Sequence, residues 1–252
     1  MFHRRLVCAA LCLLASLFAA QVNASTTQPT IPVTLYDGAQ DTLPSAQGWA
    51  FLFTKGPPPQ AMDAGAALLD TRSTAAIIAG YFASQAGFFG STAPVPVLSR
   101  TAGFTLTFTM QLLDEQHNRN SRAGFSIIAL GSDARGIELG FWQNRVWAQE
   151  GGTDALFTQA EGASYATGAA LTRYDLTIHG DTYELRADGV LLFGGPVRDY
   201  TAFQGTPNPY KTPNFLFFGD NTRSAAGRFR LGKVALALPP APAPGPPEGA
   251  LF

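Results

Sequence analysis

The chain has 252 residues, 46% of them hydrophobic and only 14% charged, with 17 basic against 18 acidic side chains. That composition excludes a disordered acidic tail and a basic nucleic-acid binder, and leaves a weakly charged globular protein. Both cysteines, Cys8 and Cys12, fall in the first dozen residues, so the rest of the chain draws on neither thiol chemistry nor disulfides.

Residues 1–24 combine a basic start (His3, Arg4, Arg5), an apolar run from Leu6 to Ala20 and a Val22-Asn23-Ala24 cleavage signature before Ser25. This is the pattern of a secretory signal peptide. An uncleaved anchor is the alternative, although the run is shorter than the ~20 residues of a spanning helix. Removal leaves about 228 residues, near the upper size for one hydrophobic core. No later segment reads as a membrane span, so the expectation is a secreted or cell-surface protein with no stable membrane insertion after signal removal. One domain over 25–238 and a Pro-rich tail over 239–252 follow from the same reading, since PPAPAPGPP favours extended polyproline backbone.

Within the domain, Gly56-Pro57-Pro58-Pro59 marks a surface loop, and the Ala-rich stretch 61–69 is the best helical candidate despite Gly65. The dominant signal is period two. Phe104, Leu106, Phe108, Met110 and Leu112 alternate with Thr105, Thr107, Thr109 and Gln111, as in a strand with one face buried and one wet. Asp114 to Asn120 then reads as a polar loop. A Gly180-Asp181 turn pairs Ile178 with Tyr183 and Leu176 with Leu185, and Asp188-Gly189 pairs Ala187 with Val190 and Leu185 with Leu192. Both turns place Tyr174, Leu176, Ile178, Tyr183, Leu185, Val190 and Leu192 on one face. Closing strands follow at Asn214 to Gly219 and Arg228 to Leu238, the second with a bulge near Gly232. Roughly a dozen strands at this spacing predict an all-β fold, a two-sheet antiparallel jelly-roll sandwich.

Several stretches carry a likeness. The run RAGFSIIALGSDARGIELGFWQNRVWAQ from Arg122, then TRYDLTIHGDTYELRADG and NFLFFGDNTRSAAGRFRLGKVAL, with LYDGAQDTLPSAQGW and LSRTAGFTLTF before them, resembles bacterial exported domains of the concanavalin A-like or laminin-G-like type. The resemblance implies the jelly-roll fold and a concave sheet that receives a glycan, while the superfamily's functions range over lectins, adhesion modules, hydrolases and lyases. It also implies a C-terminal sorting segment. The tail here offers Pro247-Glu248-Gly249 and departs from that pattern, which leaves free secretion and a truncated gene both open.

Candidate chemistry centres on residues 136–149. With Gln143-Asn144 as a two-residue turn, Phe141 faces Val146 and Leu139 faces Ala148 on the buried side, while Glu138 meets Gln149, Gly140 meets Trp147 and Trp142 meets Arg145 on the other. Two indoles, a carboxylate, an amide and a guanidinium on one face suit a sugar, with Arg122 adjacent. The alternative is that both indoles pack beneath the Pro57–Pro59 loop or another segment.

Catalysis is harder to support. Glycosidases need a carboxyl pair, and Glu138 has glycine at both neighbouring same-face positions, with Glu150 or Asp133 as the only loop recruits. His117, Arg119, Arg122 and Gln149 supply lyase residue types without a recognised spacing. Past the signal region only His117 and His179 remain, which gives no zinc or iron pattern, and His179 reads as an exposed hairpin residue. No cofactor is expected: Asp37 and Asp41, or Asp220-Asn221, could help bind structural calcium, but turn capping is the preferred reading of them. The expectation is thus a secreted non-catalytic module binding a carbohydrate or another surface component. A polysaccharide hydrolase or lyase and a structural extracellular-matrix protein are the alternatives.

Overall fold

The computed structural model describes residues 31–72, 78–87 and 90–239, so the signal-peptide segment and nearly all of the Pro-rich tail lie outside it. Fifteen strands and two short 3-10 turns, Gly38–Gln40 and Pro44–Gln47, occur among the described residues, and every strand pair is antiparallel. One sheet, here sheet A, runs β13 (Val190–Pro196), β12 (Thr182–Ala187), β11 (Thr172–His179), β6 (Phe104–His117), β15 (Ala225–Leu238), β4 (Ala66–Asp70) and β3 (Gln60–Asp63). β1 (Ile31–Asp37) shares the edge of β15 with β4, each pairing a different half of it. Sheet B runs β10 (Gln159–Ser164), β9 (Arg145–Gln149), β8 (Gly136–Trp142), β7 (Phe125–Leu130), β14 (Phe215–Asp220), β5 (Ala79–Ser84) and β2 (Ala50–Phe53).

The two sheets differ in kind. Along β6 and β11 buried and half-exposed residues alternate, so sheet A has one wet face, as the threonine alternation predicts. β5, β7 and β14 are buried at every position, so sheet B is covered on both sides. The main core lies between the sheets around Phe108. Its ring stacks on Tyr174 at 5.1 Å and meets Phe141 and Phe218 edge-on at 6.3 and 5.5 Å. Such pairs add about 0.5–1.5 kcal/mol each beyond the area they bury. A smaller second core of Phe82, Ile128, Leu130, Tyr200, Tyr210, Phe215 and Phe217 sits on the far side of sheet B.

The β11–β12 hairpin has the register read from its turn, Leu176 opposite Leu185 and Ile178 opposite Tyr183, and β15 shifts register between Leu231 and Val234, around Gly232. Three expectations need correction. A bulge follows Leu185, so its partner is Phe193 and not Leu192, and Val190 and Leu191 stand exposed. The Ala-rich stretch is no helix but the β3–β4 hairpin, turning at Ala64 and Gly65, both with φ in the left-handed region, as a two-residue hairpin requires. β6 runs on to His117, paired with Ala225, so the polar loop after it begins only at Asn118.

Removing the central ring should expose how much the sandwich relies on it. Phe108→Ala is expected to cost about 3–5 kcal/mol, read as a lower urea midpoint at unchanged slope; a loss of under about 1 kcal/mol would place the centre of the core elsewhere.

Candidate functional site

The β8–β9 hairpin has the register expected from its Gln143-Asn144 turn, with Phe141 opposite Val146, Gly140 opposite Trp147 and Trp142 opposite Arg145. Ile137, Leu139, Phe141, Val146 and Ala148 enter the main core. The opposite side, however, is not open. Trp147, Gln149 and Glu138 are only 0%, 1% and 2% exposed, so the expectation that these three present themselves to a ligand is corrected. The apolar outer face of sheet B demands a cover, and three segments supply it. None of them is the Pro57–Pro59 loop.

The first is a strap, residues 118–122, between β6 and β7. Three successive strap carbonyls accept hydrogen bonds from sheet side chains: Asn120 from Gln159 Nε2, Ser121 from Gln149 Nε2 at 3.0 Å, and Arg122 from Trp142 Nε1 at 2.8 Å. The second is the 150–158 loop, which delivers Phe157, stacked parallel to Tyr200 at 5.8 Å, with the Arg122 guanidinium 5.3 Å from the Phe157 ring centre. The third is segment 197–212. It joins sheet B through reciprocal bonds between the backbones of Gly136 and Arg198, 3.1 and 2.7 Å, and Arg198 pairs with Glu150 at 2.7 Å and Glu161 at 2.5 Å.

The glycines beside Glu138 now have a use. A Cβ on Gly140 would lie 2.6 Å from the Trp147 ring, and one on Gly162 2.7 Å from its Cβ, so only glycine lets the indole lie flat beneath the cover. Gly136 hosts the Arg198 backbone bridge. These positions serve packing, which is why no second carboxylate occupies them.

Glu138 lies under this cover. Its Oε2 accepts from the Tyr210 hydroxyl at 2.6 Å and its Oε1 from Asn221 Nδ2 at 2.7 Å. Its backbone N–H donates to the Tyr200 hydroxyl at 3.0 Å, which in turn donates to the Gln149 carbonyl at 2.8 Å. Burial pushes the Glu138 carboxyl above its ordinary range, against the opposing pull of the two hydrogen bonds and the Arg122 charge. Burial and the neighbouring carboxyl likewise push the Tyr210 hydroxyl well up. A polar cavity of about 70 Å³ adjoins Glu138, lined also by Arg122, Phe157, Phe203, Tyr210, Asn221 and Thr222.

Outside the cover, two shallow hollows flank the strap. One, about 530 Å³, is lined by His117, Asn120, Ser121, Trp142, Arg145 and Gln159. The other, about 320 Å³, is lined by Arg119, Asn120, Ser121, Arg122, Phe157 and Ser224. They share Asn120 and Ser121 and make up a trough along the strap, and the second adjoins the Glu138 cavity through Arg122 and Phe157. At one end the Trp142 indole stacks on the His117 ring, 4.0 Å apart and 5° from parallel, and Arg145 Nε donates to Gln159 Oε1 at 3.1 Å.

Of the six residues singled out from the sequence, Trp142, Arg145 and Arg122 line the trough, Glu138 lines the inner cavity, and Trp147 and Gln149 lie beneath. Asn120 and Gln159 were missed, and His117 was weighed from the sequence only for lyase chemistry; the polar run from Asp114 was the available signal for Asn120. The candidate calcium residues engage in turns and side-chain bonds. Asp37 accepts from the Ala39 N–H, Asp41 adopts φ 54° after the first 3-10 turn, and the Asp220 carboxylate accepts from the Thr71 hydroxyl at 2.9 Å and the Thr222 N–H at 3.0 Å. No helix among the described residues is long and apolar enough to cross a membrane.

Two antiparallel sheets in this arrangement make the protein an all-β, two-sheet sandwich of jelly-roll type. Its fold is similar to that of a carbohydrate esterase from the Shiga toxin-encoding bacteriophage phi24B, with 10% identity, a TM-score of 0.55, and coverage of 83% of this chain and 100% of that one. A Bacillus licheniformis β-glucanase is similar at 10% identity and TM-score 0.46 over 84% of this chain and 99% of that one. The exoplasmic/lumenal domain of VIP36 in its Ca²⁺/Man3GlcNAc-bound form is similar at 9% identity and TM-score 0.48, over 84% and 90%. At these identities the likeness is one of fold. No protein-family model and no curated protein matches the sequence.

Since the folded pKa of Glu138 lies above its unfolded value, the stability tied to its protonated form is complete below the unfolded pKa and is lost as pH rises through the folded one. Glu138→Gln does not titrate. The gap in urea midpoint between variant and wild type is therefore expected to move in the variant's favour from about pH 4 to about pH 8; a gap independent of pH would show that burial does not raise this carboxyl.

Proposed function

We propose that the protein is an exported module that binds a carbohydrate in the trough beside the strap and does not turn it over. The observation that carries this reading is the trough itself, with the Trp142–His117 stack at one end and Arg145, Gln159, Asn120 and Arg122 along it. Flat ring surface takes the C–H face of a sugar, while guanidinium and amide groups orient its hydroxyls or pair with acidic substituents. The basic start and apolar run of residues 1–24 support export.

Two features favour binding over cleavage. Glu138 is the single carboxyl among the residues lining the inner cavity, whereas hydrolysis uses a pair about 5–5.5 Å or roughly 6.5–9.5 Å apart. The tyrosine beside it, Tyr210, has its hydroxyl pushed up by burial and by Glu138, the wrong direction for a general base.

A glycan array together with pull-down on insoluble polysaccharides tests the reading. Wild type is expected to be retained, and Arg145→Ala and His117→Ala each to bind at least about tenfold more weakly, a difference of about 1.4 kcal/mol. No retention of wild type, or equal retention of both variants, would reject the trough. Release of reducing ends or unsaturated uronates, lost in Glu138→Gln, would replace binding by catalysis.

A further inference from the structure

A second cavity, about 80 Å³ and apolar, lies on the other side of Tyr210 from Glu138. We propose that it is a subsite for a short acyl substituent on the bound sugar, so that the ligand is an acylated glycan; this rests on the trough reading above.

The cavity is roofed by Phe203 and Pro209 and floored by Phe82, Ile128 and Phe217, with Leu52 at its side. Protein interiors are normally packed without voids of this size, and two glycines create this one. A Cβ on Gly80 would stand 2.6 Å from the Phe217 ring, and one on Gly219 3.0 Å from it, so the ring lies flat on β5 and β14 and leaves the space above it empty. A cavity of ~150 Å³ accommodates benzene. Roughly half that volume suits three or four carbons.

The boundary between the two cavities carries polar groups. They share Phe203, Tyr210 and Asn221 as walls. Asn221 Nδ2 donates one hydrogen to Glu138 and carries a second, which suits an ester or amide carbonyl at the rim. A sugar lying against Arg122 and Phe157 would thus send an acyl chain past a carbonyl donor into an aliphatic and aromatic slot. A free hydroxyl at the same position would leave the slot unfilled and a buried apolar surface without a partner.

The test uses the whole folded protein and three small probes: ethyl butyrate, methyl 6-O-butyryl-α-D-glucopyranoside and methyl α-D-glucopyranoside. Methyl NMR signals of Leu52, Ile128 and Ile78, a further lining residue, are expected to shift saturably with both butyryl compounds, and the butyryl glucoside to bind at least about tenfold more tightly than the plain one, from burial of its acyl carbons. Leu52→Trp, which fills the slot from its half-buried side, is expected to abolish that advantage and leave the plain glucoside unaffected. Absence of saturable shifts with ethyl butyrate overturns the acyl subsite. Glycan binding on the array, with both glucosides equal and Ile128 unmoved, overturns the subsite alone and leaves the trough standing. An empty array alongside saturable ethyl butyrate binding removes the sugar, and with it the acylated glycan as ligand.

Discussion

Sheet B is apolar on both of its faces, and most of what distinguishes this protein follows from that constraint. Strands such as Phe125–Leu130 and Phe215–Asp220 bury one row of side chains against sheet A and would leave a second row, Ile128, Leu130, Phe215 and Phe217, in water. Burying those residues yields about 25 cal/mol per Å², and the chain secures it by folding the strap, the 150–158 loop and segment 197–212 back over the sheet. A second core results where a bare sheet face would otherwise meet solvent. A polar group caught beneath is costly without a partner; the Glu138–Tyr210–Asn221 and Tyr200–Gln149 bonds supply several, while Trp147 Nε1, Gln149 Oε1 and Ser126 Oγ stay without one among the described residues.

The cover is attached by means that differ from those of the sandwich. Between the sheets, cohesion is aromatic and aliphatic contact around Phe108. Over sheet B it is a mixture of rings, chiefly Phe157, Tyr200 and Tyr210, and charge. Arg198, nearly buried, spans Glu150 of one covering loop and Glu161 of β10, and its backbone closes the bridge to Gly136. Removing Arg198 would leave the two carboxylates without their shared cation, so this one side chain ties the covering loops to the sheet edge.

Much of the architecture was legible because turn chemistry and period-two alternation act locally. The Gly180-Asp181 and Gln143-Asn144 turns set their registers within a few residues, and the phase change near Gly232 marked a bulge. The Leu185–Leu192 pairing failed because a bulge one residue away moved Phe193 inward, which no turn residue announces. The Ala-rich hairpin was obscured by alanine, whose small side chain reports neither face. The larger miss concerned exposure. Alternation at 136–149 correctly sorted side chains onto two faces, but it does not say whether the second face meets water or another part of the chain. The near-continuous apolar runs Phe125–Leu130, broken only by Ser126, and Phe215–Gly219 did say so, since strands buried on both sides lose their alternation, and Glu138, Trp147 and Gln149 had to go under with them. Arg198, Tyr200 and Tyr210 come from a segment with no periodic signal and were out of reach.

The strap's mode of attachment bears on how the surface proposed to bind a ligand can vary. Gln159, Gln149 and Trp142 grip main-chain oxygens of residues 120–122, atoms that every amino acid possesses. Substitutions at Arg119, Asn120 or Ser121 therefore leave these three anchors intact while changing the chemistry presented to solvent. The surface chemistry of this short ribbon is free to drift at little cost to these anchors, much as interchangeable letters are set in a fixed frame.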